Sequence, residues 1–328
     1  MPGRAHLPRR VASYRELYSA VVGSLKTLRG RPLDAKLRAV YEVVDGGLLQ
    51  ALAAARAIEG SGEFYRELYR TMAGEDVGRL SRKIAVLRRV AREVYGAALS
   101  RLSQRPLDRS AYEEAVGRLL SMYRRLDRRI SKLNEFLLEV SRMPDVSGDY
   151  VILIAGMPQV GKSTLLSRLT RAKPEIGSYP FTTKTLIAGH LALEPYRIVL
   201  VDSPGLLDSP IESKGEVERR AVLAIKYLAD HVLYVFDPRP EFYYSLDAQI
   251  AVYREVVEVL GGRPVTVVVN KVDAVDGEAI KGVLARLREE LGEEPLPVSA
   301  LLGTNLDSLA RGLVEAAEKA VAKGKRSH

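Results

Sequence analysis

Gly156-Met157-Pro158-Gln159-Val160-Gly161-Lys162-Ser163, near the middle of the chain, has the residue types and spacing needed to hold a phosphate chain. It satisfies G-x-x-x-x-G-K-[ST] at every fixed position. Glycines at 156 and 161 let the backbone turn and aim its N–H groups inward at phosphate oxygens. Lys162 supplies a point charge for the β- and γ-phosphates, and the Ser163 hydroxyl is a ligand type suited to Mg²⁺. A helix starting here would aim its positive end at the anion. The expected phosphate-binding set is Gly156, Pro158, Gln159, Val160, Gly161, Lys162, Ser163 and Thr164.

Further chemistry-bearing segments follow in order. Asp202-Ser203-Pro204-Gly205 begins 46 residues after Gly156. Its Asp202 carboxylate would join the Mg²⁺ shell through water, and the Gly205 N–H would sense a γ-phosphate. Asn270-Lys271-Val272-Asp273 suits guanine, which offers N1–H and N2–H₂ as neighbouring donors that the Asp273 carboxylate can accept together. Adenine has no such pair, and a site that leaves buried groups unpaired rejects it strongly. Lys271 would lay its stem along the base plane, and Asn270 would brace the phosphate loop. Ser299-Ala300-Leu301 fits a last base contact, an Ala300 N–H to guanine O6. Tyr179-Pro180-Phe181-Thr182-Thr183-Lys184 stands where a nucleotide-sensing loop should be, and a hydroxyl from Thr182 or Thr183 could reach Mg²⁺ there.

The elements that must position these segments differ between the two halves. Residues 1–149 hold 28 Lys and Arg against 18 Asp and Glu, a net of +10, so the chain's +9 sits in its first half. That half has helical patterning. Ser13-Tyr14-Arg15-Glu16 and Ser110-Ala111-Tyr112-Glu113 have capping-box spacing. An apolar stripe runs from Ile84 to Leu102, and another from Val116 to Leu137. A bundle of four or five helices is expected. From about residue 149, short β-rich runs (Val151–Ala155, Ile198–Asp202, Val232–Phe236, Val265–Asn270) alternate with helical patterns at Lys162–Arg171, Lys214–Leu228, Leu246–Leu260 and Gly277–Leu291. Such alternation implies a mainly parallel sheet covered by helices. The expected architecture is α plus α/β: a basic helical bundle over residues 1–148, then a P-loop domain over 149–328 with a mainly parallel six-stranded sheet.

Absent residue types exclude other classes. With no cysteine, disulfide frameworks, thiol nucleophiles and Cys-ligated metals are ruled out. Four histidines make a His-rich metal centre a poor expectation. No apolar run approaches a membrane span, and the first residues do not resemble a secretory signal, so a cytoplasmic protein without a membrane partner is expected.

Taken together, these segments resemble a known family. The phosphate loop with Pro158, then Tyr179-Pro180-Phe181-Thr182-Thr183-Lys184-Thr185 and Gly189-His190, resembles the Obg-related branch of translation-factor-type GTPases. Asp202-Ser203-Pro204-Gly205-Leu206-Leu207-Asp208-Ser209-Pro210-Ile211-Glu212 resembles the second switch of the nucleolar GTP-binding protein (Nog) family. Val232-Leu233-Tyr234-Val235-Phe236-Asp237, Phe64-Tyr65-Arg66-Glu67-Leu68 and Ser141-Arg142-Met143-Pro144 are similar to that family too. The resemblance is strongest from 151 to 275 and suggests a short, archaeal-type member.

The resemblance implies a GTPase that uses GTP or GDP with Mg²⁺ and helps assemble the large ribosomal subunit. It selects Thr183 over Thr182, by distance from Ser163, as the switch threonine. The implied metal ligands are then Ser163, Thr183 and Asp202, and the implied catalytic groups Lys162, Thr183 and Gly205. Phe181 and Thr182 complete the implied nucleotide contacts. K⁺ is a further candidate cofactor, although Gln159 replaces an Asn that helps ligate K⁺ in some relatives and carries its carbonyl one methylene further out, which counts against K⁺ activation. Leu206 stands where many GTPases place a water-orienting Gln, which implies slow unaided hydrolysis. On the basic half, Arg124, Arg125, Arg128, Arg129 and Lys132 form the leading expected rRNA face, with Arg82, Lys83, Arg88, Arg89 and Arg92 second. The rival expectations are an Obg-type regulatory GTPase without a ribosome role and a nucleotide-gated RNA-binding scaffold with negligible turnover.

Overall fold

The computed structural model describes residues 7–170, 172–180, 182–192, 196–205, 207, 215 and 224–325. Those up to Ser141 form one compact unit and those from Arg142 onward another.

The first unit is all helical: α1 (Tyr14–Thr27), α2 (Leu33–Gly60), α3 (Glu63–Ala73), α4 (Val77–Gln104), α5 (Arg109–Arg124) and α6 (Asp127–Ser141). The capping box at Ser13 and Glu16 forms as expected. The second does not. The Asp108 side chain accepts the Ala111 N–H at 2.9 Å, so α5 starts at Arg109 and Ser110 lies inside its first turn. Nor does one helix run on to Val140. The chain turns at Arg125 and Leu126, and Asp127 accepts the Tyr14 N–H at 2.8 Å. Buried Leu126 keeps the apolar spacing intact across this turn, which hides it from periodicity. Six helices thus replace the four or five expected. Within the unit α2 lies against α1, α4 and α5. Gly47 permits this approach, since a Cβ there would come within 2.6 Å of Leu17 and 2.8 Å of Tyr123.

The second unit contains β1 (Tyr150–Ala155), α7 (Lys162–Leu169), β2 (Glu175–Ser178), β3 (Thr185–Ala192), β4 (Arg197–Asp202), β5 (His231–Phe236), α8 (Leu246–Val259), β6 (Val265–Val269), α9 (Gly277–Leu291), β7 (Leu296–Pro297) and α10 (Leu306–Lys325). Its sheet runs β2-β3-β4-β1-β5-β6-β7. The five strands from β4 to β7 are parallel, whereas β3 is antiparallel to both its neighbours. Seven strands therefore stand where six were expected. The short edge strand β2, with Gly177 and mostly exposed residues, carries too little apolar alternation to be legible. Central strands β1 and β5 are buried at every position, as a sheet covered on both faces requires.

Two boundaries shift. Residues 142–148 pack with the sheet unit, not the bundle: Arg142 O accepts the Ser178 N–H at 3.1 Å, and the Asp145 carboxylate pairs with Arg197 at 2.7 Å. Helix α7 ends at Leu169, because Thr170 is extended. Most of the helix expected over 214–228 lies outside the described residues. No helix among the described residues is long and apolar enough to cross a membrane.

Candidate nucleotide-binding site

In a parallel sheet, loops that bind ligands gather beyond the carboxyl ends of the strands. The loops after β1, β4, β6 and β7 hold most of the sequence candidates and place them together. After Ala155 the backbone turns at Gly156 (φ 141°), where a Cβ would lie 2.4 Å from Val235 O. It turns again at Gly161 (φ 100°), where a Cβ would lie 2.3 Å from Asn270 Nδ2. Both positions exclude any side chain. Lys162 opens α7 and is only 8% exposed, with Nζ donating to Gly156 O and Met157 O, each at 2.8 Å. The ammonium is thus held inside the loop it serves.

Ser163 Oγ donates to Asp202 Oδ2 at 2.6 Å, and Asp202 is fully buried. A hydroxyl and a carboxylate converging at one point are hard oxygen ligands, as Mg²⁺ prefers. The described residues hold no cluster of three or more acidic, His or Cys side chains.

The loop before β3 is closed by Thr182. Its hydroxyl donates to Tyr179 O at 3.0 Å and accepts the Lys184 N–H at 3.1 Å, while the Tyr179 N–H donates to Lys184 O at 2.9 Å. Thr183 is exposed on this turn. Phe181 and Leu206 lie outside the described residues. Gly205 has φ 81°, and a Cβ on it would meet Lys184 Nζ at 2.8 Å.

On the base side, Asn270 is 1% exposed and bridges two loops. Its Nδ2 donates to Val160 O at 2.8 Å, and its Oδ1 accepts the Ala300 N–H at 2.9 Å. The first bond is the expected brace. The second joins Asn270 to the Ala300 N–H expected at the base, a contact that residue spacing did not reveal. Ser299 Oγ donates to Asp273 Oδ1 and accepts the Leu302 N–H at 3.0 Å, which orients the carboxylate expected at the base. Lys271, in a left-handed conformation (φ 64°), donates to Gln159 O at 2.5 Å.

Residues 151–271 match the family described as 50S ribosome-binding GTPases. The uncharacterized protein MJ1408 of Methanocaldococcus jannaschii is 30% identical over 251 residues, covering 75% of this chain and 70% of that protein. Nucleolar GTP-binding protein 1 of Drosophila melanogaster is 28% identical over 69% of this chain, and that of Saccharomyces cerevisiae 28% identical over 71%. The chain belongs to the Nog family of P-loop GTPases. It covers 36% and 37% of those two eukaryotic proteins.

Two groups at this Nog site escaped sequence reading. Arg168, on α7, donates through Nε to Ala300 O at 2.9 Å and through its terminal nitrogen to Leu301 O, tethering the base loop to the helix that follows the phosphate loop. Asp237, directly after β5, ion-pairs with Lys271 at 2.9 Å. Its position directly after a strand, like that of Asp202 at the end of β4, was the signal available. Burial alone would raise the Asp237 carboxyl's pKa. Hydrogen bonds from Arg239 and Lys271 outweigh burial and leave it below the ordinary carboxylate value.

The expected RNA face is only partly available in this family member. Arg124, Arg125 and Arg128 are exposed. Arg129 pairs with Glu75 at 3.1 Å, and Lys132 Nζ donates to Ala73 O at 2.5 Å. These two cations tie α6 to the end of α3 and its following loop. In the second cluster Arg88 is likewise held by Asp45 at 2.7 Å, while Arg82, Lys83, Arg89 and Arg92 are exposed.

Proposed function

We propose that this Nog-family GTPase is a GTP-dependent switch in the assembly of the large ribosomal subunit. The observation that carries the nucleotide half is Asn270, a buried side chain joining the phosphate loop to the base loop. In this reading the loop from Gly156 to Thr164 holds the phosphates, Ser163, Asp202 and Thr183 hold Mg²⁺, and Asp273 selects guanine. The commitment of the Thr182 hydroxyl to its own turn supports Thr183 as the metal-sensing threonine. Lys162 and Mg²⁺ stabilise charge on the transferred phosphoryl group, which passes to water. No general base is evident in the sequence, and with Leu206 after Gly205 unaided turnover is slow. Hydrolysis compared in sodium and potassium buffers reads whether Gln159 serves a K⁺ site.

The exposed cations of residues 1–148, with Arg124, Arg125 and Arg128 foremost, supply rRNA phosphate contacts. The names of the matched family and relatives support a ribosomal partner. Cosedimentation with large subunits in GTP, GDP and no nucleotide tests the switch; equal pelleting in all three states rejects it. Lys162→Ala is expected to abolish nucleotide binding by calorimetry, and retained GTP affinity would contradict its role. Leu206 also favours a second reading, a nucleotide-gated scaffold with negligible turnover. Single-turnover hydrolysis with and without large subunits separates the two.

A further inference from the structure

Lys271 belongs to the base-recognition segment, and its ammonium is held by two partners within the protein. One partner is Gln159 O in the phosphate loop at 2.5 Å, and the other is Asp237 Oδ2 at 2.9 Å. The Asp237 side chain is fully buried. A carboxylate buried against a single lysine would be costly. Here Arg239 supplies the second cation, donating Nε to Oδ1 at 2.9 Å and Nη2 to Oδ2 at 2.8 Å, the two-pronged geometry that only a guanidinium offers. The Phe242 ring sits beside both cations, 5.7 Å from Arg239 Cζ and 5.8 Å from Lys271 Nζ.

The Asp237 carboxylate accepts the Arg239 N–H at 3.1 Å, and the loop has a second brace that does not use it. Gln249 on α8, 1% exposed, accepts the Asp237 N–H at 2.9 Å and donates to Asp237 O at 3.0 Å and to Tyr244 O at 3.2 Å. Gln249 thus holds the Asp237 backbone from both sides, and the carboxylate, besides its turn with the Arg239 N–H, holds cations. A lysine stem has several rotatable bonds, and ordering it on binding would cost affinity. Pinning its head at both Asp237 and the phosphate loop meets that cost during folding.

We propose that Asp237 is a nucleotide-positioning residue: clamped by Arg239, it pins Lys271 so that the lysine stem is preset as the wall on which the guanine lies. This rests on the reading that the site binds guanine nucleotides. It makes Asp237 act on affinity for the base, equally for GTP and GDP, and not on the phosphates.

The test uses the full chain with Mg²⁺ and isothermal titration of GTP, GDP, and inorganic tripolyphosphate as a ligand without a base. Asp237→Asn is expected to weaken GTP and GDP alike by about tenfold. Tripolyphosphate affinity changes by less than about twofold, so the loss is confined to ligands that carry the base. Asp237→Asn combined with Lys271→Met binds no more weakly than Lys271→Met alone, since both remove the same wall. Guanine nucleotide affinity within twofold of the parent, equal losses for tripolyphosphate, or multiplying losses in the double variant would each overturn the proposal. Should Asp237→Asn fail to fold, Asp237→Glu keeps the charge one methylene displaced, and parental GDP affinity in it would equally overturn the proposal. Failure of the parent chain to bind GTP would instead remove the underlying site reading.

Discussion

Asn270→Ala is the most direct probe of how the site is built. The side chain makes two buried hydrogen bonds, to Val160 O at 2.8 Å and from the Ala300 N–H at 2.9 Å. Truncation leaves a carbonyl and an N–H without partners in the interior, at about 1–3 kcal/mol each, so about 4 kcal/mol in all. For a domain of this size each kcal/mol moves the melting midpoint by roughly 2–4 °C, which predicts a drop of about 10 °C in calorimetry. Both ligand loops lose their common tether, and about half of that energy withheld from binding weakens GTP about 30-fold. Asn270→Asp sharpens the test. It keeps an acceptor for Ala300 but places a carboxylate oxygen against Val160 O, so the phosphate loop is disturbed while the base loop stays held. Tripolyphosphate binding should then suffer as much as GTP binding. An Asn270→Ala protein that melts within about 2 °C of the parent and binds GTP within threefold would refute the bridging argument.

Other outcomes follow from single contacts. Gly205→Ala forces a Cβ against Lys184 Nζ at a left-handed backbone position, so GTP affinity should fall at least tenfold while GDP affinity holds. An unchanged GTP-to-GDP ratio in calorimetry would reject the role of Gly205. His231 is buried between Tyr150 Oη and Thr266 Oγ1, and burial lowers its pKa to about 4. Because the unfolded imidazole titrates near 6.5, its stabilising contribution is complete above that pH and declines as the pH falls toward 4, by about 2 kcal/mol at pH 5. Urea unfolding at pH 7.5 and 5, with a His231→Gln control that loses this part of the slope, checks it. Reversing Arg124, Arg125 and Arg128 to Glu should weaken rRNA binding and flatten its salt dependence without lowering the melting temperature. Arg129→Glu should instead destabilise the bundle by breaking the pair with Glu75. Salt-insensitive rRNA association in the triple variant would dismiss this face.

Much of the site is legible in one dimension because its chemistry is local. A phosphate loop needs its glycines, lysine and serine within eight consecutive positions, since neighbouring N–H groups do the work. The order of the segments Gly156–Ser163, Asp202–Gly205 and Asn270–Asp273 likewise follows from strands alternating with helices. Helix caps were half legible. Ser13 shows its box, whereas Ser110 misled because Asp108, two residues earlier, offers a carboxylate at the right height. The turn at Leu126 stayed hidden because the apolar spacing runs through it unbroken.

What the sequence determined alone is the backbone cradle and the choice of residue types around it, for these follow from short-range spacing and the hydrogen-bond pattern of guanine. Tertiary structure decided which charges are spent inside the molecule. Arg129, Lys132 and Arg88 look like their exposed neighbours in the chain, and only the packing of helices brings Glu75, the Ala73 carbonyl and Asp45 to them. It likewise decided that Asp237 holds Lys271, and that Asn270 takes the Ala300 N–H. Such partners come from strands that are adjacent in the sheet but far apart along the chain, and electrostatic pairing depends on distance in space, to which residue spacing is blind.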